Sequence, residues 1–277
     1  MNITEIIKDA FLFPSKNTGR FAIYLLLSVL MVGFALGGIF TYAYGIIDAE
    51  NYLMGGIYLL ISLLIGCIIT GYHIKVIKSG IEHDDNVPVF GLYEDFMTGF
   101  DNLLVLILYF IIPALIVILV SLNTNLFGNA IDVVKEFVLQ IYGVYFMDIP
   151  VDIAVIAISP ILTEFLNSLA ITLAVALVVF VIFSFLYLMG KARLANTGSL
   201  NEALNIFEAA KDMTRIGVVK VILLVLAIGV VIAIIEIILM IALIFYPFLL
   251  SVIYIILTPY MLLVSQRALG LLYSDIV

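Results

Sequence analysis

The chain has 277 residues, of which 65% are hydrophobic and 12% are charged. Soluble domains are about 45–50% apolar and about 25% charged, so a core in water does not explain this composition and most apolar side chains must face lipid. The net charge of −8 excludes the basic surface that a nucleic-acid partner requires.

Six apolar segments are each long enough to cross a bilayer as a helix, which takes about 20 residues. A β-barrel is excluded because its strands alternate polar and apolar residues, whereas these segments are apolar throughout. The sequence therefore predicts an all-α integral membrane protein with six transmembrane helices. In chain order the predicted spans are Phe21 to Tyr44, Tyr52 to Val76, Leu103 to Leu122, Leu166 to Met189, Ile216 to Met240 and Phe248 to Leu271.

The lysine and arginine residues indicate how these spans are oriented. With six spans, eleven of the twelve fall on one side, and only Lys135 falls on the other. The positive-inside rule places the basic side in the cytoplasm. We therefore expect a multi-pass protein of the cell membrane with both termini cytoplasmic. The opposite side carries scattered carboxylates, which favours a solvated face over a cation-attracting vestibule.

The first span contains a face of small residues, formed by Gly33, Gly37 and Gly38. Such a face lets helices approach closely in a membrane. It is a candidate packing surface, either for another helix of the same chain or for a second copy in a homo-oligomer.

Short amphipathic segments precede the first, third and fifth spans. The segments from Asn2 to Phe13 and from Ser199 to Asp212 each begin with a capping box, and the middle one, from Pro88 to Phe100, is weaker. Each is expected to lie in the interface with its apolar face toward lipid. The chain is interpreted as a single membrane domain of three repeat-like units, residues 1–80, 81–198 and 199–277, each an interfacial helix followed by a transmembrane hairpin.

The second and fourth spans end in similar sequences. Both segments, Lys75 to Gly80 and Arg193 to Gly198, have the order basic, apolar, apolar, polar, hydroxyl, glycine. Each glycine is expected to be the left-handed residue that closes its helix. A distinctive series continues into the third span. Its members are Gly71, Tyr72, Gly80, Pro88, Gly99 and Phe100.

This series resembles an uncharacterised family of archaeal and bacterial polytopic membrane proteins, the domain of unknown function four thousand and thirteen. The sequence departs from the family pattern at Val87, before the proline, and at Phe90, where the family often has Trp. A looser similarity points to the membrane domains of some glycerophosphodiester phosphodiesterases. Because the family has no established activity, the resemblance implies a polytopic membrane protein and transfers no catalytic residue.

The connection between the third and fourth spans, residues 121–165, is too long for a simple turn. An apolar stripe beginning at Ile131 is followed by a second apolar piece, Ile153 to Ile161, which Pro160 interrupts. We predict an outer interfacial insertion of two helices. The alternative for residues 151–165 is a re-entrant half-helix.

Glu236 is the strongest candidate for a functional intramembrane carboxylate. It lies in the long apolar run of the fifth span, where an ionisable side chain suggests a functional site or a partner. The competing explanation is that its side chain reaches water at the outer end of the span.

The sequence contains no recognisable catalytic or cofactor motif. No P-loop, GxGxxG or GxSxG occurs, and His73 and His83 lack the spacing of a metal site. Cys67, the single cysteine, is interpreted as a small apolar filler. We therefore expect no enzyme activity, no metal and no cofactor.

These features favour a non-enzymatic scaffold or a lipid-interacting, membrane-organising protein. The alternatives are a transporter or channel for a small solute or cation and, with least support, a membrane enzyme. The expected partners are the lipid bilayer, specific lipids, a second copy of the chain or another membrane protein, and no nucleic acid.

Overall fold

The computed structural model describes residues 1–243 and 246–277, without the side chains of Ala154, Leu243 and residues 247–251. This part of the chain is helical and contains no strand. It forms ten α-helices, and 3-10 turns at Phe13–Lys16 and Ser274–Ile276. The helices are α1 Ile3–Leu12, α2 Thr18–Tyr44, α3 Glu50–Ile81, α4 Leu92–Asn123, α5 Leu126–Phe146, α6 Val151–Thr197, α7 Leu200–Ala203, α8 Ile206–Ile216, α9 Val218–Leu243 and α10 Pro247–Tyr273.

Six helices among the described residues are long and apolar enough to cross a membrane, namely α2, α3, α4, α6, α9 and α10. In a bilayer the backbone must satisfy its own hydrogen bonds, which explains why apolar runs of this length become helices. The predicted all-α architecture with six candidate spans is therefore confirmed, and the protein is a multi-pass membrane protein.

All six helices are longer than the apolar segments that predicted them, and α4 and α6 begin more than ten residues earlier. The segment from Pro88 to Phe100 is not a separate helix, because α4 already begins at Leu92. Residues 151–165 form the first turns of α6, a helix of 47 residues that contains Pro160. A transmembrane helix tolerates proline because neighbouring groups and local adjustments satisfy the freed carbonyl.

The two predicted helix-closing glycines have different roles. Gly198 has φ 66° and its backbone N–H bonds to Leu194 O, so it closes α6 as expected. Gly80 lies inside α3, and the left-handed residue after that helix is His83, with φ 54°. The prediction for Gly80 was wrong because this glycine serves a close helix approach.

Contacts within the chain define two compact units. Unit 1 comprises Met1–Leu106 and Leu186–Val277, and unit 2 comprises Ile107–Phe185. In unit 1, α2 packs along α3, and α10 contacts α1, α3 and α9. In unit 2, Thr124 and Asn129 contact hydroxyl side chains of α6. The three repeat-like units inferred from the sequence stay a prediction.

The amphipathic helices differ in what their apolar faces cover. Ile6 and Ala10 of α1 are fully buried, and α1 packs against α10, so its stripe covers protein rather than lipid. On α8, Phe207 is 82% exposed. The stripe of α5 is also exposed, with Val134 at 63%, which leaves it available to lipid.

Candidate functional site

Unit 1 contains a set of buried charged side chains, two of which, Asp212 and Arg267, bind residues close to the chain termini. The amino group of Met1 lies 3.0 Å from the Asp275 carboxylate, so both ends of the chain meet here. Burying a charge is costly unless it is paired and hydrogen-bonded, which makes such residues candidates for function or for fixing the fold. The members of this set, called the buried charged layer, are Asp95, Lys191, Arg193, Asp212 and Arg267.

Arg267 on α10 joins three separate parts of unit 1. Its side chain is 1% exposed, and its Nε donates to Asp9 Oδ1 of α1 at 2.8 Å. Its Nη1 donates to Asp84 O at 2.7 Å and to Ser79 Oγ at 3.2 Å, and its guanidinium lies 4.5 Å from the ring centroid of Phe13. The planar guanidinium can satisfy all of these partners at once because its donors have a fixed fork geometry.

Asp212 anchors α8 to the bundle. Its carboxylate accepts from Arg193 Nη1 at 2.6 Å and from the hydroxyl of Tyr273 at 2.7 Å. Arg193 comes from α6 and Tyr273 from the end of α10. Asp212 is 1% exposed, so these bonds replace the water that its carboxylate lacks.

Two further buried polar pairs connect the spans. The hydroxyl of Tyr24 lies 2.7 Å from His73 Nε2, and Lys191 Nζ donates to Gln266 Oε1 at 2.7 Å. Lys191 makes no ion pair with any residue that the structure describes, so its buried ammonium is bonded to a neutral amide. Residues 1–243 and 246–277 contain no cluster of three or more His, Cys, Asp or Glu side chains that could hold a metal ion.

The family-like series lies where backbones cross most closely. A Cβ added to Gly71 would lie 1.7 Å from Asp95 O, and one added to Gly99 would lie 1.7 Å from Cys67 O. A Cβ on Gly80 would lie 2.9 Å from Arg267 O. These glycines therefore permit the contacts of α3 with the first turns of α4 and with α10.

The aromatic and proline members of the series complete this junction. Tyr72 stacks on Phe90 with 3.8 Å between ring centroids, and its hydroxyl donates to Pro88 O at 3.4 Å. Asp95, which is fully buried, lies 2.6 Å from Lys75 Nζ and accepts from the backbone N–H of Gly91. Phe100, by contrast, is 45% exposed.

The predicted small-residue face of α2 is used only in part. A Cβ on Gly38 would lie 2.8 Å from Leu59 Cγ, so Gly38 permits close packing of α2 on α3. Gly37 has ordinary contact distance to Tyr58, and Gly33 has open space around it. Contact with a second copy through Gly33 stays a prediction.

Glu236 lies in an apolar groove between α9 and α10. One cavity of about 90 Å³ is lined by Glu236 together with Tyr254 and Thr258, and by Ile232 and Ser265. A second cavity of about 240 Å³ is also lined by Ile232 and Ser265, so the two cavities adjoin, and we refer to them together as the groove. The remaining lining residues of the larger cavity are Leu188, Leu224, Val225, Ile228, Gly229, Leu269 and Leu272.

The buried charge pairs were not predicted from the sequence. The sequence analysis assigned no carboxylate partner to Arg193 or Arg267, although both bind carboxylates inside unit 1. The sequence did not single out Asp9 and Asp212, because they are two of twelve acidic residues on the side that collects Lys and Arg. A different kind of carboxylate lies nearby at the surface, since the bond from Lys16 lowers the pKa of the exposed Asp85.

The fold and this site define a class, a multi-pass α-helical membrane protein in which buried charged side chains connect the ends of helices by hydrogen bonds and ion pairs. The family model described as "Protein of unknown function (DUF4013)" matches residues 54–245. This match covers more than half of the chain, and the chain belongs to that family. No curated protein and no solved structure matches it. The looser similarity to glycerophosphodiester phosphodiesterase domains stays unconfirmed.

Proposed function

We propose that this chain is a non-enzymatic, lipid-interacting membrane protein that holds a lipid acyl chain in the groove of α9 and α10. The groove carries this proposal. Its larger cavity, of about 240 Å³, exceeds the roughly 150 Å³ of an engineered apolar cavity that binds benzene. An apolar cavity of that size gains dispersion contacts when an apolar ligand fills it.

The chemistry of the lining supports an acyl chain as the occupant. The larger cavity is lined by aliphatic side chains apart from Gly229 and Ser265, and the Ser265 hydroxyl already donates to Met261 O within α10. Such a lining offers an aqueous solute few hydrogen bonds. A bilayer supplies acyl chains at high local concentration. If the protein retains a lipid in this groove, its role in the membrane is to organise lipid around itself.

The absence of Trp from the sequence allows a direct test. Val225→Trp places the only tryptophan of the sequence in the groove, and Leu226→Trp places it one residue away on a side chain that is 55% exposed and does not line the groove. Each variant is purified in detergent and titrated with brominated phospholipid, whose acyl chain quenches Trp on contact. We expect saturable quenching of Trp at position 225 at low lipid-to-detergent ratios.

The matched variant decides the outcome. Leu226→Trp should be quenched only in proportion to the bulk fraction of brominated lipid. Identical, unsaturable curves for the two variants would show that the groove holds no lipid. A Gly229→Phe substitution in the Val225→Trp background should abolish the saturable phase, because a Cβ at Gly229 meets open space and the ring can fill the cavity.

A transporter for a small solute or cation is the second candidate function, and Glu236 favours it. Its carboxylate lines the groove with the hydroxyl-bearing Tyr254 and Thr258. Flux in proteoliposomes, with Glu236→Ala as the control, separates the two functions. Transport by the wild type that is lost in Glu236→Ala would support the transporter, and no flux above empty vesicles would remove its motivation.

A further inference from the structure

We propose that a second site in unit 1, the basic cavity of Arg20, Lys75 and Lys78, binds an anionic phosphate group. The cavity measures about 350 Å³ and lies between the first turn of α2, the last turns of α3 and the segment that follows α3. It shares no lining residue with the groove of α9 and α10. The inference therefore does not depend on the acyl-chain proposal.

Arg20 is the basic residue of this cavity that has no ion-pair partner among the described residues. Its side chain is partly buried and lines the cavity, yet its guanidinium makes no ion pair or hydrogen bond with any residue in the described part of the chain. A guanidinium presents five donors in a planar fork that matches the oxygens of phosphate. An incoming anion would satisfy donors that the fold leaves open.

The carboxylates that line the cavity do not neutralise Arg20. Asp84 Oδ1 accepts from both the backbone N–H and the side-chain amide of Asn86, at 2.9 Å each, so this oxygen is engaged within its own loop. Glu82 lies 3.8 Å from Lys78, and both side chains are more than half exposed. Lys75 is held by Asp95 and by Glu94, which positions its ammonium at the wall of the cavity.

The position of the cavity suits a lipid headgroup. Arg20 stands at the beginning of a candidate span, and Lys75 and Lys78 stand at the end of another. Val89, a lining residue, is 63% exposed, and Leu92 and Tyr93, at the start of α4, are 66% and 73% exposed. Exposed apolar side chains beside basic ones are typical of the membrane interface, where anionic headgroups lie.

Binding is tested on the full-length protein in detergent micelles, where no negatively charged membrane surface attracts basic side chains without specificity. Native mass spectrometry measures retention of phosphatidylglycerol and of phosphatidylcholine, and a parallel titration uses inorganic phosphate alone. We expect phosphatidylglycerol to bind more tightly than phosphatidylcholine. Arg20→Gln and Lys78→Gln should each raise the dissociation constant about tenfold, the effect of losing one charge-assisted hydrogen bond.

Lys8→Gln is the matched control, because Lys8 is exposed on α1 outside the cavity. It should leave binding unchanged, and Arg20→Lys should retain part of it. Thermal midpoints establish that all variants fold. Competition by millimolar inorganic phosphate would identify a soluble phosphate as the source, and retention of lipid in its presence would identify a headgroup. Unchanged binding in Arg20→Gln and Lys78→Gln, or an equal loss in Lys8→Gln, would overturn the proposal.

Discussion

Unit 1 buries charged side chains in addition to hydroxyls such as those of Ser28 and Ser79, whereas unit 2 buries hydroxyls. Every buried charged side chain in the described part of the molecule belongs to unit 1, where Arg193 and Arg267 are paired with carboxylates. The buried polar side chains of unit 2 are hydroxyls, those of Ser121, Ser168 and Thr172. Each of these hydroxyls donates to a carbonyl three or four residues earlier in its own helix.

This difference predicts how each unit responds to substitution. A buried charge left without its partner is uncompensated, whereas a hydroxyl that bonds within its own helix can be replaced with little loss. Unit 1 should therefore tolerate single changes in its charged layer poorly. Unit 2 should depend more on lipid contact, since its exposed surface includes the apolar stripe of α5.

The largest effect is expected for Arg267→Met. The change removes a guanidinium that is 1% exposed and leaves Asp9, Ser79 and the carbonyl of Asp84 without their donor. Breaking a buried pair by removing one partner costs about 3–5 kcal/mol of unfolding free energy. Denaturant unfolding in detergent, followed by circular dichroism, measures the loss.

The control for Arg267 is Arg215→Met. Arg215 also contacts a carboxylate, that of Asp212 at 3.3 Å, but its side chain is 61% exposed, so the expected loss is below about 1 kcal/mol. Arg267→Lys should lie between the two, because it keeps the charge and loses the fork. Equal stabilities for the methionine variants at 267 and 215 would contradict the importance assigned to the buried layer.

The next effect is expected for Gly99→Ala, at the crossing of α3 and α4 in unit 1. The added Cβ would lie 1.7 Å from Cys67 O, so the two backbones must separate. Overpacking of this kind costs about 1–3 kcal/mol. The same unfolding experiment should show no loss for Gly56→Ala, since that glycine of α3 has open space around it. A neutral Gly99→Ala would mean that the crossing is looser than the structure shows.

The number and type of the spans could be predicted from the sequence because they depend on local properties. An apolar run of sufficient length must be a helix in lipid, whatever its neighbours are. The helix-closing role of Gly198 was likewise local, since the capping hydrogen bond joins residues four apart. The series from Gly71 to Phe100 also indicated the family, because a pattern within one short stretch of sequence can be recognised without knowledge of the fold.

The site could not be predicted because its contacts join residues that are far apart in the chain. Arg267 and Asp9 are separated by 258 positions, and the sequence around either residue does not indicate that the other is its partner. The role of Gly80 was missed for this reason too, because its neighbour is the backbone of Arg267. The stripe of α1 was assigned to lipid, since an apolar face looks the same in sequence whether α10 or a membrane covers it.

The smallest effect is expected for Thr172→Val in unit 2. Thr172 Oγ1 donates to Ser168 O within α6 and lies 3.3 Å from Thr124 Oγ1, so the change removes one contact between α6 and the turn that joins α4 to α5. Interhelical hydrogen bonds in membrane proteins contribute about 0.6 kcal/mol on average. Thr163→Val is the matched control, because Thr163 makes the same bond within α6, to Ser159 O, and is exposed. A difference of several kcal/mol between these two variants in the unfolding experiment would mean that the hydroxyl contacts of unit 2 are as important as the charge pairs of unit 1.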